Sequence, residues 1–167
     1  MADAYELGPV TYVAAEAIGQ PGQRRFRIKA LGQAGESVAI WLEKEQLAAL
    51  GDALETVLKE EGYQYERQPL DDMGPEPVFP LSPGVEFQAA QLSMGVNRAN
   101  QHIVLIASDG DDDTTNLTFE FEYRRGYELR REIADVIAAG RPPCPLCGGP
   151  IDPTGHVCPR SNGHHPQ

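Results

Sequence analysis

Ser37-Val38-Ala39-Ile40-Trp41-Leu42, followed at once by the run Lys44–Glu61, is the stretch on which the fold turns. Val38, Ile40 and Leu42 alternate as one face of a strand. Leu50, Leu54, Val57 and Leu58 then recur with the period of a helix. Adding 79 to each number gives Leu117, Phe119, Phe121, Leu129, Ile133, Val136 and Ile137, all apolar and in the same phase. Upstream, Phe26, Ile28 and Ala30 match Ile103, Leu105 and Ala107 at an offset of 77, as if one loop had gained two residues.

Working outward, each half reads as strand, strand, strand, helix. The first half predicts strands over Val10–Ala17, Arg24–Ala30 and Ser37–Leu42, then a helix near Lys44–Glu61. The second predicts Val85–Val96, Gln101–Ser108 and Asn116–Tyr123, then a helix near Gly126–Ala139. Gln68–Pro83 holds five prolines and reads as an extended connector. A three-stranded meander with one helix cannot bury its own apolar face, whereas two copies can bury theirs together. The expected fold class is α+β. Two strand-strand-strand-helix repeats, about 9–66 and 84–140, are related by pseudo-twofold symmetry and joined by a connector over 67–83. Residues 1–140 then form one duplicated domain and 141–167 a tail. Short apolar alternation is common, so a chance match is the competing reading.

The tail carries the strongest chemical signal. All three cysteines and three of the four histidines lie beyond residue 143. Cys144 and Cys147, at i and i+3, form a knuckle that presents two thiolates to one ion; His156 and Cys158 complete a tetrahedron. His164 is the alternative fourth ligand, and His165 is also within reach of that role. The reading is one Zn2+ in a structural knuckle or ribbon, set against an unmetallated tail. A redox role fits less well, because a thioredoxin-like motif opens a helix and this one sits among prolines. A zinc deaminase would need a His-x-Glu upstream, but His102 is followed by Ile103 and Val104.

Composition narrows the partners. The net charge is −11, with −5 in residues 1–66 and −5 in residues 83–140. Such a balance opposes non-specific attraction to a phosphate backbone or an anionic membrane. No apolar run approaches the roughly 18 residues that span a bilayer, so no membrane partner is expected. Met1–Glu6 has neither a basic nor an apolar signal region. A cytoplasmic location is expected, where clustered cysteines are ligands and not disulfides.

Arg25, Arg27 and Lys29 share one face of a strand, opposite Phe26 and Ile28, and Tyr12 is near enough in pattern to offer a stacking ring. This stripe is the candidate track for single-stranded nucleic acid; a solvated face paired with Glu is the plainer reading. Asp109-Gly110-Asp111-Asp112-Asp113 resembles a calcium loop in spacing, but Thr114 replaces the required glycine and strands flank it, so it reads as a turn. His102 is expected to be structural. Trp41, out of phase with Ile40 and Leu42, is expected on the other sheet face, where it marks an interface. No nucleophile elbow, phosphate-binding glycine loop or acid–base pair stands out, and no catalytic or cofactor-binding residue is assigned.

The pairing of two sheet-plus-helix repeats is similar to the PUR-repeat and Whirly families, which bind single-stranded nucleic acid. Their repeat has four strands where three are counted here, unless Val85–Val96 is bent into two. More specifically, the repeats followed by Cys144-Pro145-Leu146-Cys147-Gly148-Gly149-Pro150 and Gly155-His156-Val157-Cys158-Pro159-Arg160 resemble a bacterial "conserved repeat protein" family with a zinc-knuckle tail. This resemblance spans the whole chain and implies no particular activity. The expected function is a non-enzymatic binding or adaptor platform, with another protein or a single-stranded nucleic acid as partner; a homo-oligomer is left open. The alternative is a metal-dependent enzyme acting on a small phosphorylated or nucleotide-like substrate in the groove between the repeats.

Overall fold

The computed structural model describes residues 3–20, 22–65, 77–110 and 115–139. Its elements run β1 (Asp3–Ile18), β2 (Arg25–Gly32), β3 (Ser37–Leu42), α1 (Lys44–Glu60), β4 (Val85–Gln88), β5 (Gln91–Asn97), β6 (His102–Ser108), β7 (Thr115–Glu122) and α2 (Tyr123–Ala139). The strands form one seven-stranded mixed sheet in the order β4-β3-β2-β1-β7-β6-β5. The class is α+β. The expected zinc ligands Cys144, Cys147, His156, Cys158 and His164, most of the connector and Asp111–Asp113 lie outside the described residues.

The apolar alternation sets the pairing. Phe26, Ile28 and Ala30 face Leu42, Ile40 and Val38 across β2–β3. In the same way Ile103, Leu105 and Ala107 face Phe121, Phe119 and Leu117 across β6–β7. All twelve are buried. Cross-strand apolar pairs of this kind fix register, because a slip of one residue would turn the whole set to solvent.

Two strands depart from the predicted spans, for different reasons. β1 begins at Asp3 and not at Val10, because Gly8, at φ 66, and the neighbouring register shifts kink the strand without ending it. Before the kink, β1 runs parallel to β7, with Tyr5 opposite Leu117; beyond it, β1 runs antiparallel to β2, with Ala15 opposite Ile28. The predicted strand Val85–Val96 breaks at Ala89-Ala90. Its first part runs parallel to β3, with Phe87 opposite Ile40, and its second runs antiparallel to β6, with Met94 opposite Leu105. β4 and β5 are the two ends of the sheet order yet adjacent in the chain, so the sheet rolls until its ends are joined through two residues.

α1 and α2 cover the core. Leu47, Leu50, Leu54 and Leu58 of α1 and Leu129 and Ile133 of α2 are buried, while Val57, Val136 and Ile137 pack half-buried at its margin. α2 begins three residues before the predicted Gly126, with Tyr123 as its first, buried residue. Glu61, just past α1, accepts from Arg98 (Nε 3.1 Å, Nη2 3.1 Å) and from the Tyr123 hydroxyl (3.1 Å). This ties the end of α1 to the β5–β6 loop and the start of α2.

Two helix glycines separate contact from crowding. A Cβ on Gly126 would lie 2.6 Å from Ile103 Cδ1 and 3.3 Å from Phe121 Cε2, with Leu54 on a third side, whereas one on Gly51 would meet only Ile133, at 3.2 Å. Gly126→Ala should therefore destabilise by about 1–3 kcal/mol through overpacking, despite the better helix propensity of Ala. Gly51→Ala should stay within about 1 kcal/mol of wild type. Urea unfolding of both variants checks the contrast, and equal stabilities would contradict this packing.

Candidate functional site

α1 starts at a capping residue, Glu43, whose N–H donates to Gln46 Oε1 at 2.8 Å. The Gln46 amide then donates to the Ala89 carbonyl at 3.0 Å. Helix start and strand junction are thus held by one side chain. Ala89 N–H donates to Trp41 O (2.9 Å) and Ala90 N–H to Ser108 O (2.8 Å), so consecutive amides bond to β3 and to β6. From this anchor α1 and β5 diverge. Small residues at Ala49 and Ala53 leave a cleft of about 480 Å³ between Gln46–Ala53 on one side and Ala90–Met94 on the other, with Leu50 and Leu105 at its base. Gln46 is the polar side chain of its α1 wall; on β5, Leu92 and Met94 share the face of Leu105, so Gln91 and Ser93 alternate to the other face and border the cleft with main chain. No charged side chain lines it.

The opposite face of the first-half strands holds the predicted basic stripe. Arg25, Arg27 and Lys29 do share a face, but their surroundings differ. Glu16 on β1 accepts from Arg27 Nε (2.8 Å) and Nη2 (2.6 Å), and its other oxygen meets Lys29 Nζ at 2.7 Å. The Arg27 and Lys29 side chains are only 14% and 15% exposed. Phe79 from the connector lies over both, 5.3 Å from the Arg27 guanidinium and 5.7 Å from Lys29 Nζ. Arg25 is exposed and stacks 4.0 Å above the Trp41 ring, whose Nε1 donates to Glu86 at 2.9 Å. Trp41 does lie on the outer face. Tyr12 is buried, at 7% exposure, so its ring is not open to a base.

Sequence patterning missed Glu16, Phe79 and Gln46. Glu16 was within reach of it, since the Tyr12, Ala14, Glu16 alternation puts a carboxylate opposite Arg27 once β1 is paired with β2. Phe79 sits in proline-rich chain with no periodicity to read. Elsewhere, His102 Nδ1 lies 2.8 Å from Glu120 Oε1 on the outer face of β6–β7. Asp109 Oδ1 accepts from Thr115 N–H at 3.1 Å, closing the loop it opens. Among the described residues no group of three or more His, Cys, Asp or Glu side chains is placed to hold a metal ion. No described helix is long and apolar enough to cross a membrane.

Burial alone would raise the Glu16 carboxyl, but the hydrogen bonds and charges of Lys29 and Arg27 outweigh it and hold its pKa below the ordinary value of 4.5. A lowered carboxyl stabilises the fold above its unfolded value, and that stability is lost as pH falls through the lowered value. Glu16→Gln should cost about 1–3 kcal/mol near neutral pH, since two half-buried cations lose their counter-charge. The gap to wild type should narrow as pH drops below 4.5. Urea midpoints measured across that range test this, and a gap that does not change with pH would show that the pair contributes nothing through charge.

No curated protein matches the chain. Residues 5–158, spanning both halves of the sheet and both helices, match the family described as "Protein of unknown function (DUF3090)", and the chain belongs to that family.

Proposed function

We propose that this protein is a non-enzymatic binding platform for another protein, built by duplication and carrying a structural zinc module at its C-terminus. One observation carries the platform reading: the α1/β5 cleft is apolar at its base and no residue that lines it carries a charge. Such a lining binds and orients a ligand; it offers no group to take or give a proton near neutral pH. A phosphorylated or nucleotide-like substrate would need cations there, and none of the lining residues is one. The nucleic-acid branch is disfavoured because Arg27 and Lys29 already share the Glu16 carboxylate, are mostly buried and lie beneath Phe79.

Register supports the duplication with pseudo-twofold symmetry. The start of β1 runs parallel to β7 as β4 runs parallel to β3, and the later part of β1 pairs with β2 as β5 pairs with β6. Individual pairs agree too. Ala15 opposite Ile28 matches Met94 opposite Leu105, and Gly8 opposite Phe119 matches Phe87 opposite Ile40. The offsets of 77 for Ile28 and 79 for Ile40 are those read from the sequence, and the pairing adds an offset of 79 for Gly8 and Ala15. On this reading each half lends the start of its first strand to the sheet of the other.

For the zinc module the support is the donor set, three thiolates and an imidazole from Cys144, Cys147, Cys158 and His156, with His164 as the alternative nitrogen. Such a set holds zinc in a closed, structural coordination, and its order depends on the metal.

Two measurements test the proposal. Elemental analysis of protein purified without chelator should find one zinc per chain, and chelation should leave the cooperative unfolding of the sheet intact; protein without stoichiometric zinc would remove the module. A labelled single-stranded DNA of mixed sequence should bind no more than weakly at physiological salt. Tight binding abolished by Arg25→Glu and Arg27→Glu would replace the protein partner with a nucleic acid.

A further inference from the structure

The two matched halves treat their strand edges differently. Beyond its kink, β1 pairs with β2 on one side only, and α2 covers the other: Glu132 Oε1 accepts from the Ala15 N–H at 3.2 Å. The matching edge is β5, the end of the sheet order, and the matching helix is α1. Met94 stands in the register of Ala15, so by strand alternation its N–H points away from β6. The residue of α1 that corresponds to Glu132 is Ala53, whose methyl group cannot reach that N–H, and here the helix stands off to leave the cleft.

Among the described residues no strand covers this edge of β5, and an uncovered edge is a hazard that folded proteins normally blunt with a charge, a proline or a covering element. β5 reads Gln91-Leu92-Ser93-Met94-Gly95-Val96-Asn97, without a charge or a proline. A helix beside an open strand edge, with an apolar base between them, is the arrangement in which an extended peptide adds as a further strand. The rim narrows the chemistry. Glu45 and Asp52 lie on the solvent side of the cleft-lining stripe of α1, within the length of helix that lines the cleft, exposed and in no ion pair with a described residue. Lys59 continues their row one further heptad along, past the last lining residue Ala53, and Lys44 falls on another side of the helix. The same acidic rim disfavours a nucleic acid, and it disfavours a second copy of this chain, whose own α1 would bring like charge to like.

We propose that the α1/β5 cleft binds an extended segment of a partner protein by strand addition to β5. The segment's main-chain carbonyl takes the place at Met94 N–H that Glu132 takes at Ala15. Its side chains alternate between apolar residues set toward Leu50 and Leu105 and Lys or Arg set toward the acidic rim. This rests on the platform reading and names its ligand.

The test uses the full-length protein and a displayed library of random nine-residue peptides. Selection should enrich sequences alternating basic and apolar residues. Synthetic versions should slow hydrogen exchange at Met94, and N-methylation of alternate peptide nitrogens should abolish binding. Ala53→Glu, which rebuilds the carboxylate of the matching site, should weaken binding at least tenfold while leaving the unfolding midpoint near wild type. Enrichment of acidic or proline-rich sequences, no enrichment at all, or binding indifferent to Ala53→Glu would overturn the proposal. So would a Met94 amide already protected in the free protein, since another part of the chain or a second copy would then hold the edge. A peptide that binds elsewhere, with β5 exchange unchanged, would sink the strand-addition site and leave the platform reading standing.

Discussion

The junction at Ala89-Ala90 is the constraint from which the rest follows. Two successive amides are bonded to Trp41 and to Ser108, on β3 and β6, the strands next to the two ends of the sheet order, and Gln46 fastens the same turn to the first turn of α1. Each bond is worth only about 1 kcal/mol net, but together they oblige the sheet to curl. A curled sheet turns one face of every strand inward, which is why the apolar residues of β2, β3, β6 and β7 meet in one core. It also brings α1 over β5, and so decides where a cleft can exist.

Charge is handled in two ways on this surface. On the outer face of β1–β3, one carboxylate is shared by two cations: Glu16 serves both Arg27 and Lys29, while Phe79 lies over them. On α1, Glu55 meets Arg130, whereas Glu45 and Asp52 stand exposed beside the cleft without such a partner among the described residues. A chain of net charge −11 could have repelled polyanions by its total alone. The arrangement does more, because two of the cations of the stripe are held by a carboxylate and two unpaired anions border an opening.

How much was legible in the residues follows from what each feature depends on. The strands β2, β3, β6 and β7 and both helices were visible because their apolar period is local and uninterrupted. β1 was shortened in the reading because Gly8-Pro9 breaks the alternation, although a glycine at positive φ kinks the strand without ending it. The break in Val85–Val96 could not be placed, since Gln88-Ala89-Ala90-Gln91 has no glycine or proline to mark it. Pairing of the basic stripe with Glu was the plainer reading of the residues, but that the Glu is Glu16 and that Phe79 lies over the pair was not legible, because these reach it through strand pairing and through the connector. The cleft was invisible for a simpler reason: it comes from two alanines, and small residues leave no periodic trace.

The parallel pairing of the start of β1 with β7 sets the order of events when the chain is made. Tyr5 is made well before its partner Leu117, which comes more than a hundred residues later. Contacts of such sequence separation slow folding, because the entropy of closing the loop is lost before the contact is gained. The N-terminal segment must therefore wait, extended and with its hydrogen-bonding groups unpaired, until nearly the whole sheet has been synthesised. The nascent first half is a three-stranded fragment that lacks both the strand it receives and the strand that receives it. The sheet as a whole can therefore close only once β7 has been made, and the interval before that is when the chain most needs shielding from its neighbours.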